Sequence, residues 1–246
     1  GWFLLFIGIT ALIVLFGVEK GIERVSKWMM PILVVLTLFI AIYGLCMPGA
    51  IDGLIYYIKP DFSHFSATTV LAAMGQLFYS MSLAMGIMIT YGSYMKKDIK
   101  LESSVRQLEL FDTGIAFLAG LMIIPAVFAF SGGDPEALSK GAGLMFITLP
   151  KVFNSMTGGT IVGVLFFVMV FFAALTSSIS LMETVVSIIS DKTKLGRKVV
   201  CAIVFAGSVF LGIPSSLGHG PLNFVKIINL GILDFFDFVS NSVLMP

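Results

Sequence analysis

The chain has 246 residues, of which 58% are hydrophobic and 12% charged, with a formal net charge of +1. Soluble domains carry roughly 25% charged residues, so this much apolar surface cannot close into one water-facing core, and the composition points to a multi-span helical membrane protein. A near-neutral balance without a long lysine or arginine run gives no footing for nucleic acid as a partner.

Seven apolar runs, near 2–17, 29–47, 66–94, 105–131, 160–190, 198–214 and 228–246, approach or exceed the roughly 20 residues that cross the hydrocarbon. They predict one all-α, polytopic transmembrane domain over 1–246, in which 132–159 is a long outside connection. The first run lacks a basic leader and a small-residue cleavage site, so it does not read as a signal peptide. Both ends of the chain read as truncated. Proline and glycine set the expected boundaries. Met30-Pro31 reads as lying near a helix start, Lys59-Pro60-Asp61 and Ser131-Gly132-Gly133-Asp134-Pro135 as loops, and Pro125 as a kink inside the fourth run. Cys46 and Cys201 stand far apart without metal-ligand spacing and read as packing residues.

Basic residues fall on alternate connections. Lys20, Arg24, Lys27, Lys96, Lys97, Lys100, Arg106, Lys192, Lys194, Arg197 and Lys198 share one side, against Lys59, Lys140, Lys151 and Lys226 on the other. The positive-inside rule makes the richer side cytoplasmic, which suits a multi-pass protein of the cell membrane. The outside connection at 132–159 opens on Asp134-Pro135-Glu136, a good helix start. It is either a loop resting on the bundle or a lid over an outward-facing cavity. His64 and His219 lie in or near outside connections and read as solvated.

The third run carries the most unusual stretch, Gly75 to Tyr91, whose middle holds Ser80, Ser82 and Gly86 where a plain span would hold leucines. Unpaired backbone in hydrocarbon costs several kcal/mol. The stretch is therefore either a small-residue helix contact or a broken helix built around a site. In the fifth run, Thr176, Ser177, Ser178 and Ser180 bring four hydroxyls into an apolar span. They either bond back to helix carbonyls or, with the Ala173 carbonyl at i, Thr176 at i+3 and Ser177 at i+4, offer oxygens to a cation such as Na⁺. Asp112 in the fourth run and Glu183 in the fifth are acids that a bilayer centre penalises by about 2.5–3.5 kcal/mol. Near an interface that cost falls. Asp234 and Asp237 stand where acids suit the start of the seventh helix.

These features converge on one family. Gln76-Leu77-Phe78-Tyr79-Ser80-Met81-Ser82-Leu83-Ala84-Met85-Gly86 resembles the discontinuous sixth helix of the neurotransmitter:sodium symporters, and Ala173-Ala174-Leu175-Thr176-Ser177-Ser178 resembles the sodium-binding stretch of their eighth. Glu19-Lys20-Gly21-Ile22-Glu23-Arg24 and Phe111-Asp112-Thr113 match in the same order and spacing. The resemblance implies a broken-helix, inverted-repeat (leucine-transporter-like) fold, with the seven runs as the family's helices four to ten and the fold incomplete at both ends. It implies sodium-coupled symport of an amino acid by alternating access, with two sodium sites, chloride use left open, and the lipid bilayer as surroundings.

Residue by residue, the resemblance makes Tyr79 the aromatic over the substrate, and Ser82, Met85, Ser177 and Leu181 pocket residues. Ser80 serves both substrate and the first sodium ion, and Asp112 is a ligand of that ion where many relatives carry asparagine. Ala173, Thr176 and Ser177 form the second sodium site. Asp237 is the acid of the outer gate, supported by Gln76. The pocket implies a neutral, hydrophobic or aromatic amino acid. Ala84 replaces a usual glycine, and Ala116 offers no ionisable group in place of chloride. Because the family's first helix supplies half of the site, this stretch alone is not expected to transport. An ion channel and a non-functional partial gene product are the alternatives. A hydrolase is disfavoured, since no span pairs its serines with a base.

Overall fold

The computed structural model describes residues 1–60, 62, 65–83, 85–132, 143–218, 220–222, 224–228 and 230–244, with only the backbone of 19, 20, 241, 242 and 244. His64, His219, Ala84 and the expected helix start at Asp134-Pro135-Glu136 lie outside the described residues.

Ten α-helices form among the described residues: α1 (Trp2–Leu15), α2 (Arg24–Leu45), α3 (Ala50–Ile58), α4 (Ala67–Ser80), α5 (Ile87–Ser93), α6 (Leu101–Ser131), α7 (Leu149–Ser155), α8 (Gly159–Thr193), α9 (Arg197–Leu217) and α10 (Ile232–Phe238). π-Helical turns at Val18–Glu23, Leu144–Thr148 and Val239–Leu244 lead into or out of helices. Four stretches, Gly21–Leu45, Leu101–Ser131, Gly159–Thr193 and Arg197–Gly218, are long and apolar enough to cross a membrane. The apolar run at 66–94 does not continue as one helix. It runs as α4 and α5, of 14 and 7 residues, about 21 and 10 Å long and each too short to span a 30 Å core by itself.

The chain divides into two compact units. The first holds Gly1–Lys27, Ser82–Met95 and Ala174–Pro246, and the second Trp28–Met81 and Lys96–Ala173. The covalent divisions fall within the first turn of α2, where α4 ends, after Met95 and midway along the unbroken α8.

The second unit has a core drawn from four helices. Leu33 and Ile40 of α2, Met122 and Ala126 of α6, Val152 of α7 and Phe166 of α8 belong to it. Leu149, Val152 and Phe153 follow an i, i+3, i+4 spacing and are all buried, so a short amphipathic helix inside the 132–159 connection is anchored by its apolar face. Thr37 is buried too, and its single hydroxyl hydrogen has two acceptors within reach, the Leu33 carbonyl at 2.8 Å and Met169 Sδ at 3.1 Å. Helix α3 lies on α6 through Gly53, where an added Cβ would stand 2.7 Å from Phe128 Cβ and 2.8 Å from Pro125 Cα. Tyr56 stacks near Phe128 at 4.8 Å between ring centroids, and Tyr57 near Phe117 at 5.5 Å.

In the first unit α1 and α9 run antiparallel, since Phe3 covers Gly212 at one end and Arg197 reaches the Val14 carbonyl at the other. The α8 residues Leu175, Ile179, Met182 and Val186, at i, i+4, i+7 and i+11, are buried on one stripe. Thr10 is fully buried and ties α1 to α8 through a 2.9 Å hydrogen bond with Ser178 Oγ. Large apolar side chains remain uncovered outside these cores, as with Phe210 at 78% exposure. In a bilayer such side chains meet lipid at no cost.

Two local expectations are corrected. Pro31 does not lie near a helix start but sits inside α2, two turns past Arg24, because the π-helical turn at Val18–Glu23 delivers the chain into the helix earlier. Cys201 is buried, but Cys46 is exposed, since it falls just past the last residue of α2.

Candidate functional site

Helix α4 begins with Ser66 as N-cap, whose Oγ accepts from the Thr69 N–H at 3.3 Å, and ends at Ser80. Met81 still returns its N–H to the Leu77 carbonyl at 3.0 Å. One residue later Ser82 turns to φ +55°, a left-handed conformation that costs a non-glycine residue about 1–2 kcal/mol. Gly86, at φ +72°, is the N-cap of α5, and its carbonyl takes both the Thr90 N–H at 3.0 Å and the Thr90 hydroxyl at 3.1 Å. The chain thus leaves helical geometry at 81–86 in the middle of an apolar run. Irregular backbone at that depth requires cover by protein or a cavity.

At the end of α4 the Ser80 hydroxyl donates to Asp112 Oδ1 at 2.7 Å, an ordinary O–H···O distance. Asp112 is half-buried and Ser80 exposed. Because α6 starts at Leu101, Asp112 lies eleven residues along it, about 16 Å from its start. The structure therefore brings together two residues that the sequence separates by 32 positions.

The four hydroxyls of α8 divide into different roles. Ser178 and Ser180 bond back to the carbonyls of Leu175 and Thr176 at 3.0 and 3.1 Å, and Ser180 also meets the Tyr91 hydroxyl at 3.1 Å. These two act as helix and interhelix hydrogen-bonding groups. Ser177 is exposed and makes no hydrogen bond among the described residues. Thr176 is half-buried and Ala173 exposed, so the i, i+3, i+4 set lies on the less covered side of α8. Leu181, one turn after Ser177, is 47% exposed.

The remaining expected site residues lie as follows. Tyr79 and Gln76 are exposed on α4, and Ser82 and Met85 are half-buried in the break. Asp237 is exposed near the end of α10, its carbonyl accepting from Ser240 Oγ at 3.1 Å.

One constellation went unread in the sequence. Glu183 is completely buried in α8 and is met by Arg197 and Tyr94. Arg197 Nη1 donates to Oε1 at 3.1 Å, its Nη2 pairs with Oε2, and the Tyr94 hydroxyl donates to Oε1 at 2.8 Å. The same guanidinium donates through Nε and Nη2 to the Val14 carbonyl at 3.2 and 2.7 Å, which also accepts the Gly17 N–H at 3.0 Å at the end of α1. The available signal was the acid itself. A carboxylate enclosed in a span needs a cation, and Arg197, fourteen residues on, is brought back by the turn at Lys194, which has φ +56°.

The model of the sodium:neurotransmitter symporter family matches residues 2–231. The chain belongs to that family. Among curated relatives, an uncharacterised sodium-dependent transporter of Bacillus subtilis, YhdH, is 37% identical over 99% of this chain and 53% of its own length. The human sodium- and chloride-dependent creatine transporter 1 is 30% identical over 67% of this chain and 27% of its own. Among solved structures, that of MhsT in complex with L-phenylalanine superposes with a TM-score of 0.86 at 43% identity, over 98% of this chain and 54% of that one. The chain thus spans about half the length of YhdH and of MhsT. Membership makes it an all-α membrane protein of the symporter fold, in which the break between α4 and α5 is the discontinuous helix expected from Gln76 to Gly86.

Proposed function

We propose that the protein couples movement of a neutral, apolar or aromatic amino acid into the cell to the sodium gradient. The observation that carries this reading is the break at 81–86 with the Ser80–Asp112 hydrogen bond beside it. A chain end of α4 that stops in hydrocarbon, and a carboxylate oxygen held 2.7 Å from a hydroxyl, supply what a hard monovalent cation needs: several oxygens with one negative charge.

In this reading Ser80 and Asp112 hold a first sodium ion, and the Ala173 carbonyl, Thr176 and Ser177 a second. Ser177 supports the second role because its hydroxyl is left over when Ser178 and Ser180 have bonded to their own helix. Tyr79, Ser80, Ser82, Met85, Ser177 and Leu181 contact substrate, and Gln76 and Asp237 serve the outer gate. The connections bearing Lys96 and Lys192 face the cytoplasm. MhsT, crystallised with L-phenylalanine, supports an apolar or aromatic substrate. Ala116 gives no acid in place of chloride, so chloride dependence is decided by measurement.

The substrate class is tested by competition. Labelled phenylalanine or leucine uptake into cells or vesicles holding the protein is challenged with each amino acid in turn. Apolar and aromatic competitors are expected to reduce uptake at least tenfold more effectively than charged ones, which leave a charge unpaired in an apolar pocket. A panel won by lysine or glutamate contradicts the assignment.

A further inference from the structure

An open groove of about 270 Å³ runs along the first unit between α1 and α9. Gly8, Ala11 and Leu15 line it from α1, and Lys198, Ala202 and Phe205 from α9. These positions recur at three- and four-residue spacing on both helices, so each contributes one face. Gly8, Ala11 and Ala202 leave space that the larger Leu12, Leu15 and Phe205 border. A Cβ added at Gly8 would meet nothing within 4 Å. Seven residues of each helix make the groove about 10 Å long, a third of the hydrocarbon thickness.

Apolar walls do not hold water, and in a spanning helix pair the available filler is a lipid chain. One end of the groove is different. Lys198, in the first turn of α9, is exposed and makes no ion pair among the described residues. Its neighbour Arg197 is already committed to Glu183 and the Val14 carbonyl. The antiparallel pairing places Lys198 beside Leu15 at the basic, interfacial end of both helices. An apolar slot that ends at an uncommitted ammonium is complementary to a molecule with a hydrocarbon tail and an anionic head.

We propose that this groove binds an anionic phospholipid, with one acyl chain between α1 and α9 and the phosphate on Lys198. The inference rests on the chain lying in a membrane and not on the transport reading. Zwitterionic lipids share the tail but bring no net charge, so the lysine sets the preference. A lysine that merely snorkels to water would set none.

Native mass spectrometry of the detergent-purified protein separates these cases, with phosphatidylglycerol and phosphatidylcholine of the same acyl chains as probes. The wild type is expected to retain phosphatidylglycerol preferentially. Lys198→Gln lowers that preference about fivefold, the weight of one lysine near an anionic surface, and Lys198→Arg restores it. Gly8→Leu, which puts a side chain into the slot, reduces retention of both lipids. If that variant does not fold, the exposed Lys198 pair still decides. Equal retention of both lipids by the wild type overturns the proposal, as does a preference unchanged by Lys198→Gln. Displacement of phosphatidylglycerol by excess inorganic phosphate would reduce the site to a simple anion contact. A Gly8→Leu variant that loses self-association while keeping its lipid would give the groove to a second copy of the chain.

Discussion

A carboxylate enclosed in a spanning helix persists only when its charge is answered, and Glu183 is answered by both terminal nitrogens of Arg197 and by the Tyr94 hydroxyl. Breaking a buried pair by removing one partner leaves the other charged and desolvated, at about 3–5 kcal/mol. Glu183→Met should therefore lower the thermal midpoint of the purified protein by many degrees. Glu183→Met/Arg197→Met should lose less than Glu183→Met alone, because no charge is then stranded. A double variant at least as unstable as the single would show that the pair is solvated. The acid at 183 was legible as an anomaly in its span, but its partners were not. Tyr94 and Arg197 lie 89 and 14 residues away in sequence, and no periodicity links them. Asp112 was read as a cation ligand through family resemblance alone. Its hydrogen bond to Ser80 depends on where α4 stops, which hydropathy does not report.

Among the elements, the long spans were legible and the breaks were not. The runs at 29–47, 105–131, 160–190 and 198–214 overlap α2, α6, α8 and α9, with ends that differ by up to five residues. Apolar composition marks hydrocarbon but not the capping groups just outside it. The run at 66–94 is apolar throughout, so only Ser80, Ser82 and Gly86 hinted that α4 and α5 are separate. Among its described residues the 228–246 run holds a seven-residue α10 and then a π-helical turn at Val239–Leu244. Short α3 escaped notice because its nine residues are too few to span and too apolar to look like a loop. The break makes a specific demand at Gly86. An added methyl would meet Thr184 Cγ2 at 3.5 Å, ordinary contact, but φ +72° excludes it on conformational grounds. Gly86→Ala should cost about 1–2 kcal/mol from the backbone alone, read as a lower melting temperature. At Gly53, by contrast, an added methyl collides with the Pro125 backbone and Phe128, so Gly53→Ala should lift α3 from α6 at about 1–3 kcal/mol. If both substitutions leave the midpoint unchanged, these contacts are not as close as described.

At the scale of the molecule, the chain passes between two compact units four times, within α2, after α4, after Met95 and within α8. Family membership and the all-helical, membrane-spanning class follow from composition and four motifs in register, and both agree with the family match over residues 2–231. Two units could not be foreseen from hydropathy, because the divisions at 81/82 and 173/174 fall inside apolar runs. Of the expected ligands, Ser80, Asp112 and Ala173 belong to the second unit and Thr176 and Ser177 to the first.

Sodium-dependent uptake tests this account most directly. Labelled phenylalanine entry into proteoliposomes holding the protein that contains this chain is measured with sodium or potassium outside, for wild type, Asp112→Ala and Thr176→Ala/Ser177→Ala. Uptake should require sodium. Each variant should need about ten- to a hundredfold more of it, as the loss of a charge-assisted or paired oxygen contact predicts. Uptake that is the same in potassium, or a sodium requirement untouched by both variants, would contradict cation coupling at these residues.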